Sequence, residues 1–391
     1  MGLFVYYNIY YCYALKEPTI KICHLSSVHF ALDTRIFYRM CQALKAQYDV
    51  TLIGVHPKKE TYKGILIIPF KRFHNRQLRV LVGWLLMFFK AMKVNARVYH
   101  LHDPELIPCG LLLRLMGKQV IWDVHENIAE DIFDKPWIKH QKRAYTTFHF
   151  FEKLACQYFY IVLAEKSYEK RYKQLAKRCS TVQNFCDIDF FKPYEQAHFQ
   201  NLKSVFYIGI VLENRGILQI IEALHLLKLK GEVYDFHCVG ELYTDLENKM
   251  KALPYYKEVE AQLHFHGRLS LEEGYQYAKH CSMGLCIIWP MKNSIESYPT
   301  KLFEYMAIGL PVITSNFPLY RSVIEQNNSG QCIDPFSAIA LADAIESMHR
   351  DVEKSEQLAQ NGKLAVKKYY NWETEKIVLA RVYEELLVTV K

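Results

Sequence analysis

Two glutamates, Glu296 and Glu304, are separated by seven residues in the segment ESYPTKLFEYMAIGLPVI (296–313), and a helix is predicted to begin between them. Pro299 suits the first turn of that helix, and Gly309 suits its end. The free N–H groups at a helix start, together with the helix dipole, bind phosphate. A carboxylate such as Glu304 can accept hydrogen bonds from both hydroxyls of a ribose. The segment therefore indicates a site for a phosphorylated, sugar-bearing ligand.

A solvated surface position is the alternative interpretation of Glu304. Its neighbours in the sequence, Phe303 and Tyr305, are large and apolar, as is most of the predicted helix. That pattern favours a helix that is largely covered by protein, and it disfavours the alternative.

A single arginine, Arg215, follows the strand pattern in FYIGIVLENRGI (206–217) and stands directly before Gly216. The planar guanidinium matches two phosphate oxygens, so this turn favours a diphosphate. The alternative is a surface arginine on a helix. A dinucleotide-binding G-x-G-x-x-G pattern is absent, because Gly209 and Gly216 lie too far apart.

The first half of the chain has weaker signals, all close to the ends of predicted strands. His125 ends one apolar run, the pair His102 and Asp103 ends another, and Asp33 and Arg35 follow a third. For His102 and Asp103, packing or loop anchoring is an equal alternative. The chain has 16 histidines, so no single histidine is diagnostic.

Elements that could position these residues alternate along the chain from residue 19 onward. Short apolar runs predict strands at 20–26, 50–55, 65–70, 98–102, 119–125, 160–165, 204–210, 235–240, 263–268, 284–289 and 311–315. Longer stretches of helical period lie between several of them, which is typical of parallel α/β sheets. We expect two doubly wound, Rossmann-like domains facing across a cleft, with ligands at the carboxyl ends of their strands.

The domain boundaries follow from where the periodicity is interrupted. We expect an extension at 1–18, an N-terminal domain at 19–185, a C-terminal domain at 186–370 and a final helix at 371–391. The tyrosine-rich extension lacks the positive region and the cleavage site of a signal peptide. We favour a disordered segment, or a start codon placed too far upstream, over a membrane contact.

Charge is divided unevenly between the two halves. The net charge of +8 combines +14 over residues 1–185, with 28 Lys and Arg against 14 Asp and Glu, and −6 over residues 186–391. Such asymmetry indicates that one domain meets an anionic partner. The 11 cysteines form no C-x-x-C pair and fit buried thiols in a reducing compartment. No uncharged apolar run is long enough to span a bilayer.

The stretch 71–97 has an apolar block between basic residues. The basic residues are Arg72, Arg76, Arg79, Lys90, Lys93 and Arg97. One interpretation is an amphipathic helix on an anionic membrane surface, and the alternative is a core helix with solvated ends. Nucleic acid is not expected as a partner, because no recognised binding module is present.

Taken together, these segments resemble retaining GT-B glycosyltransferases of family 4, the glycosyl transferases group 1. The E-x7-E pair and the run PTKLFEYMA-x-GLPVI carry the resemblance, which extends over about residues 20–385. It implies donor-sugar contact for Glu296, ribose contact for Glu304 and diphosphate contact for Arg215. His125 matches the family histidine near the reacting sugar, so the implied catalytic residues are His125, Glu296 and Arg215. The implied donor-binding residues are Arg215, Glu296, Pro299, Thr300, Lys301 and Glu304.

The sequence departs from the family pattern in several places. Ile210 replaces an arginine that many members carry after the strand glycine, so diphosphate binding falls more heavily on Arg215 and Lys301. In the acceptor-side loop, Asp33 and Arg35 belong to a D-T-R-I sequence that replaces the usual glycine pair. We assign that loop, with His102 and Asp103, to the acceptor side.

The function implied by the resemblance is transfer of a sugar from a nucleotide diphosphate sugar to a hydroxyl of a glycan or lipid-linked acceptor, with retention of configuration. The expected setting is cell-surface polysaccharide synthesis in the cytoplasm, at the inner face of the membrane if 71–97 binds there. No metal and no cofactor are expected. Two alternatives are a nucleotide-sugar epimerase of the same fold and a non-catalytic glycosyltransferase-like scaffold.

Overall fold

The computed structural model describes residues 20–73, 75, 78–125, 132–133, 138 and 140–388. These residues form two α/β units, each built around a sheet of mainly parallel strands. The expected extension at 1–18 lies outside the described residues, as do Arg76, Glu126 and Asn127.

The first sheet has eight strands in the order β3-β4-β2-β1-β5-β6-β7-β8. All neighbouring strands are parallel except β3 and β4, which are antiparallel. The strands are β1 (Lys21–Phe30), β2 (Asp49–Val55), β3 (Glu60–Tyr62), β4 (Ile65–Phe70), β5 (Val98–Leu101), β6 (Gln119–Val124), β7 (Tyr160–Leu163) and β8 (Cys179–Thr181).

The second sheet has six parallel strands in the order β11-β10-β9-β12-β13-β14. The strands are β9 (Ser204–Ile208), β10 (Asp235–Val239), β11 (Leu263–Phe265), β12 (Met283–Cys286), β13 (Val312–Ser315) and β14 (Gly330–Ile333). The predicted domain boundary at 185–186 falls in the connection between β8 and β9.

Helices connect the strands of both units. In the first unit they are α1 (Thr34–Cys41, a π-helix continued by Gln42–Leu44), α2 (Trp84–Val94, preceded by a π-helical turn at Arg79–Gly83), α3 (Ile107–Leu115), α4 (Gln141–Tyr158) and α5 (Glu169–Leu175). Beyond it lie α6 (Ile188–Phe191), α7 (Ile217–Leu229), α8 (Thr244–Lys251), α9 (Tyr256–Val259), α10 (Leu271–Ala278), α11 (Lys292–Glu296), α12 (Lys301–Ile308), α13 (Pro318–Ile324), α14 (Ala338–Arg350), α15 (Val352–Tyr369) and α16 (Trp372–Val388). None of the helices among the described residues is long and apolar enough to cross a bilayer.

Two interior strands, one in each sheet, are buried along their whole length. Every residue of β7 and of β12 is buried, and their sequences YIVL and MGLC contain no charged residue. Parallel sheets have helices on both faces, so their strands read as continuous apolar runs instead of alternating patterns. This is why the sequence pattern located both strands.

The last helix, α16, returns to the first unit. Trp372, Leu379 and Tyr383 on this helix pack into one apolar core with Ile22 of β1 and Ile36 of α1. The end of the chain is therefore part of the N-terminal core, which places Tyr383 beneath the first sheet's polar residues.

Contacts also join the two units across the cleft between their sheets. Arg39 of α1 lies 3.6 Å from the Glu304 carboxylate of α12, and Lys63 lies 3.7 Å from Glu272. The guanidinium of Arg268 lies 4.8 Å from the centre of the Phe30 ring. The carboxyl ends of the strands therefore meet at the cleft, as the predicted architecture requires.

Candidate active site

A cavity of about 320 Å³ lies at the carboxyl ends of the second sheet. Four residues predicted to bind a donor line it together: Arg215, Pro299, Thr300 and Lys301. Its other lining residues are Tyr207, Gly209, Ile210, Ile288, Ser294, Ser297, Tyr298 and Tyr320. Arg215 is half-buried in this wall, at the end of a short helical turn, and its assignment to a diphosphate remains a prediction.

The turn that carries Arg215 requires glycine after it. Gly216 has a φ of 72°, in the left-handed region, and a Cβ built there would lie 2.6 Å from Ile287. Any other residue would have to separate this turn from β12, which precedes Ile287. The backbone therefore holds Arg215 at the edge of the cavity.

Helix α12 is fixed against the sheet by Tyr305. A Cβ on Gly284 of β12 would lie 2.3 Å from the Tyr305 ring, so only glycine admits the ring there. The Tyr305 hydroxyl accepts a hydrogen bond from the backbone N–H of Ile208 in β9 at 3.1 Å. The helix begins at Lys301, two residues after Pro299, so the proline precedes the first turn instead of occupying it.

Lys301 is a cation held against an aromatic ring beside a second cation. Its Nζ lies 3.8 Å from the centre of the Tyr207 ring, and it would lie 2.9 Å from a Cβ on Gly209. Burial, and then the charge of Arg215, lower the pKa of Lys301 to about 8. A bound anion would relieve both effects, so this arrangement favours a di-anionic or poly-anionic ligand.

Neither glutamate of the E-x7-E pair lines the cavity. Glu296 is exposed at the end of α11. Glu304 is 4% exposed; its Oε2 accepts a hydrogen bond from the Tyr275 hydroxyl at 2.6 Å, and its Oε1 faces Arg39. The alternative of a solvated Glu304 is therefore wrong, and the donor contacts assigned to the two glutamates remain predictions.

A second cavity, of about 260 Å³, lies at the carboxyl ends of the first sheet. His102, Asp103 and His125 line it together with Asp123 and His29. The Nε2 atom of His125 lies 2.7 Å from Oδ2 of Asp123, which ends β6. The structure thus brings together the three predicted residues and adds a buried carboxylate between them.

Arg35 holds that carboxylate in its ionised form. Its Nε donates to Oδ2 of Asp123 at 2.9 Å and its Nη2 donates to Oδ1 at 2.8 Å. Burial alone raises the pKa of Asp123, but Arg35 and His125 outweigh it and hold the pKa well below its ordinary value. Burial lowers the pKa of His125, and Asp123 outweighs burial, so the pKa of His125 is raised.

The two acids assigned to the acceptor side both organise loops. Asp103 accepts hydrogen bonds from the Ser26 hydroxyl at 2.8 Å and from the Ser27 backbone N–H at 2.6 Å, which fixes β1 where its regular pairing with β2 is interrupted. Asp33 caps α1 by accepting from the backbone N–H groups of Arg35 and Ile36. The loop-anchoring interpretation of Asp103 is therefore the one the structure supports.

Helix α1 carries two arginines that contact residues near both cavities. Arg35 and Arg39 are one turn apart, and they reach Asp123 in the first unit and Glu304 in the second. Arg39 also donates a short hydrogen bond to the Asn184 side chain. One short helix thus connects the residues around His125 with the helix that carries Lys301.

Several residues at these cavities escaped the sequence analysis. Glu165, at the end of β7, accepts a hydrogen bond from the backbone of Tyr298, and burial raises its pKa to about 8. His24 and His100 are buried beside His102 and Tyr383. A sequence signal for two of these histidines exists, because His100 and His102 alternate along a strand and so lie on the same face of the sheet. His24 joins them because it is paired with His100 on the neighbouring strand.

Two groups of metal-ligand type occur among the described residues. One comprises His24, His100 and His102, and the other comprises His102, Asp123 and His125. In the second group, both oxygens of Asp123 already accept hydrogen bonds from Arg35. A metal ion would have to compete with that bidentate pair.

Comparison with known proteins finds a family model that matches most of the second unit. Residues 190–365 match the model described as Glycosyl transferases group 1. The amylovoran biosynthesis glycosyltransferase AmsK of Erwinia amylovora is 29% identical over 139 residues, which are 35% of this chain and 34% of that relative. The aligned segment thus spans about a third of the relative's length.

Solved structures of similar fold cover both units. Sucrose-phosphate synthase from Thermosynechococcus elongatus superposes with a TM-score of 0.72 at 17% identity, covering 95% of this chain and 100% of that chain. HepE of Anabaena in complex with UDP-glucose superposes with a TM-score of 0.67 at 14% identity, covering 94% and 100%. The chain therefore has the two-domain GT-B fold, which confirms the predicted architecture.

Proposed function

Because residues 190–365 match the family model Glycosyl transferases group 1, we propose that this protein is a retaining glycosyltransferase that uses a nucleotide diphosphate sugar. The acceptor we propose is a hydroxyl of a glycan or of a lipid-linked glycan, at the cytoplasmic face of a membrane during polysaccharide synthesis. The AmsK relative is named for the biosynthesis of amylovoran, which agrees with that setting.

The observation that carries this proposal is the pairing of Arg215 and Lys301 in one cavity beside the start of α12. Two cations at the carboxyl edge of a parallel sheet suit the diphosphate of a nucleotide sugar. HepE, which shares the fold, was solved with UDP-glucose, so uridine nucleotides are the first donors to test.

In the proposed reaction, the bond between the anomeric carbon and the diphosphate oxygen breaks, and the electron pair leaves with the diphosphate. The acceptor oxygen forms its new bond on the same face of the sugar, and its proton passes to a phosphate oxygen. Arg215 and Lys301 stabilise the charge that develops on the leaving group. His125 and Glu296 contact the sugar, and Glu304 contacts the ribose.

The experiment that tests this function follows donor and product by NMR. The full chain is incubated with UDP-glucose and a panel of other nucleotide sugars, with and without lipid-linked and free glycan acceptors. We expect acceptor-dependent release of the nucleoside diphosphate and a product with the anomeric configuration of the donor. Inversion would contradict retention, and conversion of the donor without acceptor would identify an epimerase.

We also propose that residues 78–89 contact the membrane. On one side these residues expose an apolar surface, with Leu81 69% and Phe89 56% exposed, while Met87 on the other side packs into the core of the first unit. Beside them lies an apolar groove of about 640 Å³ between α2, α3 and α4. Pro104 and Glu105 line both this groove and the cavity of His125, so a lipid chain in the groove would bring its head group to that cavity.

The basic residues around this surface differ in their availability to a membrane. Arg79 is committed to the protein, because its Nε lies 2.8 Å from Glu105. Lys71, Arg72, Lys93 and Arg97 are exposed and free to face anionic head groups. Apolar contact flanked by exposed cations is the usual arrangement of an interfacial helix.

Replacing Leu85 and Phe89 together with asparagine is expected to lower binding to vesicles that contain anionic lipid by at least about tenfold, because two exposed apolar side chains lose their burial in the bilayer. Co-sedimentation with vesicles measures the effect. The control variant replaces Ile339 and Leu364, which lie in the second unit and are at least as exposed as Leu85 and Phe89. Equal vesicle binding by the two variants would contradict membrane contact through this surface.

A further inference from the structure

Beneath the cavity of His125 lies a continuous column of buried polar rings. His24, His100 and His102 are each at most 1% exposed. The rings of His24 and His102 are stacked with centres 5.2 Å apart, and those of His100 and His102 are stacked at 4.6 Å. Tyr383 of the last helix touches the lower end of this column, since its hydroxyl lies 2.9 Å from Nδ1 of His100 and 3.2 Å from Nε2 of His24.

The upper end of the column is fixed by the charge of Asp123. Nδ1 of His102 lies 3.2 Å from Oδ2 of Asp123, and Nε2 of His125 lies 2.7 Å from the same oxygen. A carboxylate that is held ionised by Arg35 can only accept, so both of these nitrogens must carry protons. The 3.3 Å between the two nitrogens then reflects two donors meeting at one acceptor, not a hydrogen bond between them.

The positions of the other protons in the column follow from the proton on Nδ1 of His102. A neutral His102 with its proton on Nδ1 presents a lone pair at Nε2, which lies 2.9 Å from Nδ1 of His24. His24 must therefore donate from Nδ1, which leaves its Nε2 to accept from the Tyr383 hydroxyl. The oxygen of Tyr383 in turn accepts from Nδ1 of His100, and the remaining Nε2 of His100 is a lone pair that finds no partner among the described residues.

The arrangement is a chain and not a metal cage. His24 uses its two nitrogens in opposite directions, one toward His102 and the other toward Tyr383. A metal ion needs ligand atoms that converge on one point, and a ring that bridges two partners does not supply that geometry.

We propose that Tyr383, His24 and His102 are positioning residues that fix, through Asp123, the orientation and protonation of His125. The chain of donors runs in one direction, from His100 through Tyr383, His24 and His102 to Asp123. By making His102 a donor to Oδ2 of Asp123, this chain holds that oxygen in place beside His125. His125 then donates to the same oxygen from Nε2 and presents Nδ1 as the nitrogen available to a ligand. The catalytic consequence of this arrangement rests on the proposed glycosyltransferase function, but the proton assignments do not.

The first test measures the tautomers directly on the full chain. Two-bond ¹H–¹⁵N spectra of histidine-labelled protein distinguish protonated from unprotonated ring nitrogens. We expect His24, His100 and His102 each to carry its proton on Nδ1, which is the less populated tautomer of free histidine, and His125 to carry one on Nε2. A proton on Nε2 of His102 or of His24 would overturn the proposal.

The second test replaces Tyr383 with phenylalanine, which removes the hydroxyl that donates a hydrogen bond to Nε2 of His24. Without that hydroxyl, the donors and acceptors of the column can exchange roles. His102 would then carry its proton on Nε2 and turn the lone pair of Nδ1 toward Asp123. We expect kcat to fall about tenfold with the donor KM unchanged, together with shifted ¹⁵N signals of His125. The matched control is Tyr234→Phe, because that buried hydroxyl in the second unit has no hydrogen-bond partner among the described residues.

These outcomes separate the positioning role from a merely structural one and from the proposed function itself. Loss of thermal stability in Tyr383→Phe with unchanged His125 signals and unchanged kcat would overturn the positioning role. If the chain transfers no sugar from any donor, the ¹⁵N spectra of the wild type and of Tyr383→Phe still decide whether the column controls His125.

Discussion

Replacing Arg215 with alanine is expected to lower kcat/KM for the nucleotide sugar by about 10²–10³, because in the proposed reaction the guanidinium stabilises charge that develops only as the diphosphate leaves. Arg215 lines the same cavity as Lys301, and its turn is held by Gly216 against Ile287. The substitution removes the cation without altering that turn. Steady-state kinetics with saturating acceptor measures the effect.

The pH dependence of donor binding gives a second, independent measurement on the same variant. Lys301 is charged below its pKa of about 8, so donor binding by the wild type should weaken as the pH rises through that value. Arg215 helps to lower the pKa of Lys301 by repulsion between the two cations. Without Arg215, the pH at which donor binding weakens should move upward, which calorimetric titration with UDP across pH 7 to pH 10 would detect.

The control for this variant is Arg321→Ala, because Arg321 lies on α13 of the same unit and is exposed, paired only with Glu325. Near-normal kcat/KM in Arg215→Ala would remove the assigned role of Arg215. A weakened donor affinity with an unmoved pH midpoint would show that Arg215 binds the donor without acting on Lys301.

The residues that line the cavity of the second unit could be grouped from the sequence because they are close together in the chain. Arg215 and Gly216 are adjacent, and Pro299, Thr300 and Lys301 are consecutive, so one turn and one helix start bring the set together. Strand runs such as YIVL were also readable, since complete burial removes every polar residue from them. Strands β3, β8 and β14 escaped prediction because their sequences, ETY, CST and GQCI, do not form apolar runs.

The first unit was harder to predict because its determinants are distant in the sequence. Tyr383 contacts His24 across 359 positions, and no local pattern links a C-terminal helix to the first strand. Arg35 was assigned to the acceptor side from its place in a loop, whereas the fold turns it inward to Asp123, 88 positions away. The exposed apolar face at 78–89 was equally unreadable, because a core helix and a membrane-facing helix have the same apolar composition.

The pair formed by Arg35 and Asp123 carries the largest expected effect on stability. Both side chains are at most 4% exposed, and two hydrogen bonds join them. Replacing Arg35 with methionine leaves a buried carboxylate without its counter-charge, which should cost about 3–5 kcal/mol of unfolding free energy. Chemical denaturation followed by circular dichroism measures the loss, and Arg321→Met at the exposed pair with Glu325 should cost less than about 1 kcal/mol.

A double variant separates the stabilising role of this pair from its role at the cavity. Replacing Arg35 with methionine and Asp123 with leucine removes both buried charges, so most of the lost stability should return. Activity should not return, because His125 and His102 both lose the acceptor that fixes their protons. A double variant that is stable and fully active would show that Asp123 serves only to balance Arg35. A double variant that is stable and inactive would assign the carboxylate to His125, since restored folding leaves the missing acceptor as the remaining difference.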